Sequence, residues 1–470
     1  MKHSLDVNTK DFIRLGVPLG EATRRATDFV TKFILRGGDK TRLAEEIAAI
    51  LANPASFTKD PLRGDFARVL LTAPPPPRAE PAKYRQWGEG LESEAVLQME
   101  KACLLPVAVA GALMPDAHVG YGLPIGGVLA TDNVVIPYAV GVDIACRMKM
   151  SVLDLPVRHL EHKTDRLTRA IEAETRFGVG AFFEERRAHA VMDADWSVSP
   201  ITQANKDRAW SQLGTSGSGN HFVEFGLLTT PGKVGNLEPG TYLAVLSHSG
   251  SRGTGAAVCD HYSQLAFRQF PDLPSELKRL AWLSLDSPEG NEYWAAMELM
   301  GQYAAANHEC IHREVAAHLG AEVLLQVENH HNFAWKERHV IGGVEREVIV
   351  HRKGATPAGQ GVLGLIPGSM ATPGFLVSGL GNPESLHSAS HGAGRTMSRK
   401  SANEKFKWKD VQRFLRERGV TLISAGLDEV PMAYKDIHAV MDAQRDLVTV
   451  LGQFDPKLVK MAPAGERAED

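Results

Sequence analysis

Apolar positions in the first part of the chain recur every three or four residues. Between Glu21 and Arg36, Phe29, Val30, Phe33 and Ile34 gather on one side, which predicts a helix ending at Gly37-Gly38. A second helix, capped by Asp39, carries Leu43, Ile47, Ile50 and Leu51 and stops before Pro54. Pro74 to Pro77 then form a proline run that suits neither helix nor central strand and predicts an extended spacer. The expected division is a helical N-terminal extension over residues 1–72, a Pro-rich linker over 73–85 and a main domain over 86–470.

From about Gln86 the texture changes to short β-branched runs between glycine-rich turns. Met114 to Gly127 reads as a loop rich in glycine and proline. Val134 to Ile136 and Lys149 to Leu153 read as strands around the tight segment Gly141 to Met148. Leu213 to Phe225 passes from a Gly/Ser loop into an apolar run. Tyr242 to Leu246 predicts a buried strand with a loop, His248 to Gly255, at its end. Pro288 to Leu319 predicts the longest helix, with Ser287 as its cap and Tyr293, Met297, Met300, Ala304, Ile311 and Val315 along one side. Val323 to Val327 is another strand, and Ile437 to Leu451 is an amphipathic helix. No fixed-period repeat is evident. The fold class expected is α+β, a large mixed domain with polar, glycine-flanked loops at strand ends.

Composition narrows the functional classes. In 470 residues, 43% hydrophobic and 23% charged content is that of an ordinary globular enzyme. A net charge of -4 argues against a sequence-indifferent polyanion binder but leaves room for a local basic patch. Cys103, Cys146, Cys259 and Cys310 are scattered without a CxxC, which suits a reducing compartment. No apolar leader or membrane-length run is present, so a cytoplasmic protein with no membrane partner is expected.

Two features carry chemistry. Ser385 to Ser401 places His391 before Gly392, Ala393 and Gly394, with Arg395 and Arg399 four apart. Small residues let a phosphate approach closely, and guanidiniums on one helical face can grip its oxygens. The plain alternative is a Gly/Ser-rich loop with a solvated basic face. Separately, Asp143 and Cys146, then His221, then His248, then His330 and His331 lie in loops, and carboxylate, thiol and imidazole form a transition-metal ligand set. Each histidine taken alone reads as a hydrogen-bonded structural residue, and Cys146 alone as a small buried hydrophobe. By ligand type, thiolate and imidazole favour zinc or iron over manganese. Cys103, Cys259 and Cys310 read as packing residues, and His118 and His351 as loop-orienting ones.

The motifs MPDAHVGYGLPIGG, GVDIAC, GTSGSGNHFVE, SHSGSRG, HHN, HRKGAT, IPGSM, GNPES, SHGAGRTMSR and AYKDI stand in the order in which they occur in the RtcB family of RNA-splicing ligases. The chain resembles that family from about Gln86 onward. The resemblance implies a GTP- and Mn2+-dependent ligase that joins RNA 3'-phosphate or 2',3'-cyclic phosphate ends to 5'-hydroxyl ends, in tRNA splicing or RNA repair. It implies a histidine–GMP intermediate on His391. It implies two manganese ions held by Asp143, Cys146, His221, His248 and His331, with Cys146 bridging and His330 as the runner-up for the last place. GMP contacts map to Asn220, His221, Phe222, Val223, Glu224, His331, Asn332, Pro367, Gly368, Ser369, Met370, Gly374, His391, Gly392, Ala393, Gly394, Tyr434 and Lys460. Glu224 would accept from guanine N1 and N2. Arg252, Lys353, Arg395 and Arg399 correspond to holders of the triphosphate or RNA-end phosphate, and Asp116 to an orienting carboxylate. The resemblance also allows an archease-type activator, and the expected state is a monomer.

The sequence departs from the family pattern at several points. Gly374 stands where a serine contacting GMP is common, and Ala145 and Arg147 stand where glycines are common. Arg147 suits either a phosphate contact or a surface ion pair. The chain continues beyond Lys460, where the family usually ends Val-Lys-Gly. A metal-dependent RNA-end phosphoesterase on the same scaffold is the alternative enzyme, and a non-catalytic RNA-end binding module the alternative outside catalysis.

Overall fold

A computed structural model describes residues 11–12, 15–18, 21–72, 81–271 and 273–466. The Pro74–Pro77 run therefore lies outside the described residues. The chain divides into two compact units, Met1–Glu80 with Phe267–Lys278, and Pro81–Ala266 with Arg279–Asp470.

In the smaller unit, α1 (Glu21–Leu35), α2 (Leu43–Ala52) and α3 (Gly64–Thr72) enclose Phe29, Val30, Ile47, Ile50 and Phe66. Asp39 caps a 3-10 turn, Lys40–Arg42, that leads into α2, its side chain accepting from Thr41 N. The larger unit begins earlier than the sequence pattern suggests. Ala82 N already bonds to Cys103 O, and Tyr84–Gln86 is a strand.

The strands of the larger unit that shape its two main sheets are β1 (Tyr84–Gln86), β2 (Ala108–His118), β3 (Ile125–Thr131), β4 (Arg147–Leu153), β5 (Phe222–Thr230), β6 (Gly240–Ser249), β7 (Val323–His330), β8 (Asn332–Ile341), β9 (Val344–Lys353), β10 (Leu363–Ile366), β11 (Gly374–Gly379), β12 (Thr421–Ser424) and β13 (Val448–Met461). One sheet runs β1-β2-β3-β9-β8. The other runs β10-β11-β13-β5-β6-β4-β7, with β12 parallel to β13. The chain crosses between sheets at His331, the residue separating β7 from β8. Helix α4 (Arg252–Gln269) follows β6, and α5 (Pro288–Leu319) lays Ile311 and Val315 against Phe225, Leu243 and Val245 of the second sheet. Ser287 caps α5 by accepting from Gly290 N.

Three local expectations are corrected. Met114–Gly127 is not a loop throughout. It holds the end of β2 and the start of β3, with a register shift between Leu113 and His118 that accommodates Pro115. His248 lies within β6 rather than in a loop, and α4 begins at Arg252. The helix expected over Ile437–Leu451 stops at Asp442, and Val448, Thr449 and Val450 instead open β13. An apolar run of β-branched residues next to a helix is ambiguous by periodicity alone. Pairing with β11 and β5 decides it.

Candidate active site and metal centre

Antiparallel order gathers the ligand-type residues. In the sequence β5-β6-β4-β7, neighbouring strands run in opposite directions, so the starts of β5 and β4 and the ends of β6 and β7 share one edge. Cys146 precedes β4, His221 precedes β5, His248 is the last residue but one of β6 and His331 follows β7. Four distant segments thus bring one side chain each to one place.

There, Cys146 Sγ lies 3.1 Å from His248 Nε2 and 3.4 Å from His221 Nε2. His248 Nε2 lies 3.2 Å from His331 Nε2, and Asp143 Oδ2 lies 3.1 Å from His221 Nε2. All five residues are buried. Backbone carbonyls set the tautomers: His221 Nδ1 donates to Ser216 O at 2.9 Å and His248 Nδ1 to Asn220 O at 3.1 Å, which leaves both Nε2 lone pairs in the cluster. Burial, ahead of the His221 charge, pushes the His248 imidazole down to about 3. Burial and the neighbouring histidines hold His331 well below its usual range. Both rings are therefore neutral at pH 7, the form that binds a metal. Asp143 Oδ2 and His331 Nδ1 are buried without a hydrogen-bond partner. Converging lone pairs and orphaned polar atoms fit a bound cation and make poor sense without one. Of the two adjacent histidines, His331 enters this cluster. His330 packs its ring against Phe333 and Trp335, 5.0 Å from each.

His391 adjoins the cluster, its ring centroid 4.9 Å from that of His331. It follows the short strand Ser388–Ser390, which pairs with Ala355–Pro357 just after β9. Asp116, fully buried, accepts from His391 Nδ1 at 2.7 Å and from the backbone N–H of His391 and of Gly392, each at 3.2 Å. Burial alone would raise this carboxyl. The hydrogen bond and charge of His391, helped by Lys435, outweigh burial and hold it below the usual range. Nδ1 is thereby occupied, and Nε2 is the nitrogen left for chemistry. Gly394, at φ +73°, has no space for a side chain against the Asp116 backbone.

A cleft with about 1120 Å³ of atom-free space, continuous with solvent, joins His391 to the cluster. Asp143, Cys146, Asn220, His221, Phe222, Glu224, His248, His331, Asn332, Pro367, Gly368, Ser369, Met370, Gly374, His391, Gly392, Ala393, Gly394, Arg395 and Tyr434 line it. Burial pushes the Glu224 carboxyl well up, and no hydrogen-bonding or cationic side chain faces it among the described residues. Strand alternation sorts its neighbours. Glu224 pairs with Val459 and Phe222 with Met461, and all four line the cleft. Val223 and Lys460 pair on the opposite face, where Lys460 Nζ lies 3.2 Å from Glu172 Oε1. The fold therefore does not bring Val223 or Lys460 to the cleft.

The expected phosphate holders are differently employed. Lys353 Nζ donates to the carbonyls of Tyr121 (2.6 Å) and Tyr138 (3.0 Å). Arg252 is buried, donating to Thr215 Oγ1 at 3.1 Å. Arg395 lines the cleft while reaching Glu429 Oε2 at 3.1 Å and Asp428 O at 2.6 Å. Arg399 pairs with Asp428 at 3.2 Å and with Glu429. Arg147 is buried and donates to Gly301 O, and its ion-pair partner Glu328, at 3.3 Å, is exposed, so the pair runs from the interior to the surface. Glu429, which also accepts from the Tyr434 hydroxyl, lines the cleft and was not singled out from the sequence. Its signal was the Asp428-Glu429 pair as counter-charge to two arginines. His118 and Thr372 likewise line the cleft.

Behind the ligands, α5 supplies a polar support. Asn307, fully buried, accepts from Gly214 N (2.7 Å) and Thr215 N (3.1 Å) and donates to Thr215 O (2.9 Å) and Ser249 Oγ (3.1 Å). His308 joins Ser249 O to Ser247 Oγ, the residues on either side of His248.

A family model described as tRNA-splicing ligase RtcB matches residues 98–199 and 184–461. The RNA-splicing ligase RtcB of Escherichia coli K12 is 32% identical over 405 residues, covering 79% of this chain and 95% of that protein. The RNA-splicing ligase RtcB of Mycobacterium tuberculosis is 33% identical over 442 residues, 78% of this chain and 99% of that one. The tRNA-splicing ligase RtcB of Archaeoglobus fulgidus is 31% identical over 431 residues, 75% and 87% of the two chains.

Proposed function

The chain belongs to the RtcB family and is an RNA ligase, and from that premise we propose that it joins RNA 3'-phosphate or 2',3'-cyclic phosphate ends to 5'-hydroxyl ends at the expense of GTP, through GMP carried on His391. The observation that carries this reading is the Asp116–His391 pair at 2.7 Å, set in a cleft beside a buried ligand cluster.

Asp116 keeps the proton on Nδ1, so the Nε2 lone pair can attack the α-phosphorus of GTP. The new P–N bond replaces the bridging P–O bond, and pyrophosphate leaves with the electron pair. An RNA 3'-phosphate oxygen then takes GMP from His391, which regains its lone pair. Finally the 5'-hydroxyl oxygen attacks the RNA 3'-phosphorus, its proton passes to solvent and GMP departs. A cyclic phosphate is first opened by water to the 3'-phosphate. Asp143, Cys146, His221, His248 and His331 would hold two Mn2+ ions, which would supply charge neutralisation on the transferring phosphoryl group. Glu224 would accept from guanine N1–H and N2–H, donors that adenine does not present in that pattern. Gly392 to Gly394 leave room for the nucleotide.

Intact-mass measurement after incubation with GTP and Mn2+ tests this. The wild-type chain gains one GMP, loses it on adding 3'-phosphate RNA, and His391→Ala gains none. An adduct that persists in His391→Ala refutes the nucleophile. RNA-end hydrolysis with no GTP consumed would favour the phosphoesterase alternative.

A further inference from the structure

The cations nearest the cleft are largely consumed inside the protein, since Arg252, Lys353, Arg395 and Arg399 each donate to internal oxygens. Arg279 is different: among the described residues no hydrogen bond or ion pair engages its guanidinium. It lies over the Tyr121 ring, 4.6 Å from the centroid, and 5.9 Å from that of Tyr138. Tyr121 is itself 56% exposed, and Val119 beside it is 41% exposed.

The loop carrying these side chains is firmly held. Val119 to Pro124 spans the gap between His118 and Ile125, both of which line the cleft. Gln98 clamps Gly120 at two points, donating to its carbonyl at 2.7 Å and accepting from its N–H at 3.0 Å. Glu92 accepts from Val119 N at 3.3 Å. The buried Lys353 ammonium ties Tyr121 O to Tyr138 O. Gly122, at φ +79°, packs against the Arg279 backbone. A loop anchored at this many points while presenting an aromatic ring and an unpaired guanidinium to solvent is organised before any ligand arrives. That lowers the entropic cost of binding one.

We propose that Tyr121 and Arg279 form a landing platform for the terminal nucleotide of a single-stranded RNA end entering the cleft, the base stacking on Tyr121 and a backbone phosphate pairing with Arg279. Aromatic stacking accepts every base, which suits an enzyme that joins ends rather than reads sequence. The proposal rests on the cleft being the ligation site.

The test measures binding of two short labelled RNA strands in Mn2+ without GTP, one ending in a 3'-phosphate and one beginning with a 5'-hydroxyl and blocked at its 3' end. Tyr121→Ala should weaken one or both by about 5- to 150-fold, the range for losing one stacked base, while Tyr121→Phe stays within about twofold. Arg279→Gln should lower the slope of log affinity against log salt by about one. The strand affected identifies the end that lands there. Tyr121→Ala within about twofold of wild type for both strands overturns the platform, as does a Tyr121→Phe loss equal to that of Tyr121→Ala, which would mean the hydroxyl acts rather than the ring. Adduct formation with GTP is scored separately. Normal adduct with unchanged RNA binding defeats the platform alone. No wild-type adduct, with RNA binding still lost in Tyr121→Ala, defeats the GMP mechanism and leaves the platform standing.

Discussion

Replacing Asn307 with alanine tests whether α5 holds the Cys146–His221–His248 cluster together. The change removes all four hydrogen bonds of a fully buried amide. Their partners fare unequally. Thr215 N keeps Gln212 O, Ser249 Oγ keeps Ser216 O at 2.6 Å, and Thr215 O keeps only a share of that same hydroxyl proton at 3.2 Å, whereas Gly214 N loses its bond to Asn307 with no second acceptor to take it up. An orphaned buried N–H costs about 1–3 kcal/mol, and each bond with a surviving alternative roughly 0.5–1.5 kcal/mol. The sum is about 3–7 kcal/mol. With unfolding entropy near 2.1 cal/mol/K per residue, a unit of about 380 residues loses roughly 1.3 °C per kcal/mol, so the melting midpoint of metal-free protein should fall by about 4–9 °C. The same loop carries Ser216 O, the acceptor that sets the His221 tautomer. Calorimetric Mn2+ affinity should therefore drop about 10- to 100-fold, as for other losses behind metal ligands. A midpoint within about 1 °C and an affinity within about twofold of wild type would refute the argument, because the bonds counted here would then carry neither stability nor ligand geometry.

Three further outcomes follow from the geometry. Asp116→Asn should leave Mn2+ binding intact but slow single-turnover GMP transfer to His391 by about 10²- to 10⁴-fold, since a neutral amide no longer supports the ring through a charged acceptor; a rate within about threefold would remove Asp116 from that role. Ala145, at φ +59°, is held in the left-handed region, which costs about 1–2 kcal/mol, partly offset in glycine by about 0.5–1 kcal/mol of added unfolded-state entropy; Ala145→Gly should therefore raise the melting midpoint by up to about 2 °C, and a fall would contradict the strain. Burial would raise the Glu337 carboxyl, but Arg352, at 2.7 Å, and the His339 hydrogen bond bring it down to about 2. A depressed carboxyl contributes stability that is full above the ordinary carboxylate range and is lost as pH falls through that range toward about 2. Worth roughly 3 kcal/mol at neutral pH, this should make the melting gap between wild type and Glu337→Gln widest at pH 6 and narrow steadily below about pH 4.5; a gap that does not change with pH would rule it out.

Much of this protein was legible from residues alone. Three- and four-residue periodicity with a serine cap and a following proline specifies α5, because helical hydrogen bonds are local and their pattern is written in neighbouring residues. The ligand types and the ordered motifs named the chemistry and the family, since thiolate, imidazole and carboxylate carry their properties wherever the chain places them. What tertiary structure decided was direction. His330 and His331 are chemically identical neighbours, and only the passage from one sheet to the other sends His331 into the cluster and His330 against Phe333 and Trp335. Lys460 follows Val459 on a cleft-lining strand, yet a two-residue side-chain period turns it to the far face. Lys353, Arg395 and Arg399 read as free phosphate clamps until the fold supplies Tyr121, Tyr138, Asp428 and Glu429 as their acceptors. Strand register is set by pairing partners tens to hundreds of residues away, and that register determines which face each side chain occupies.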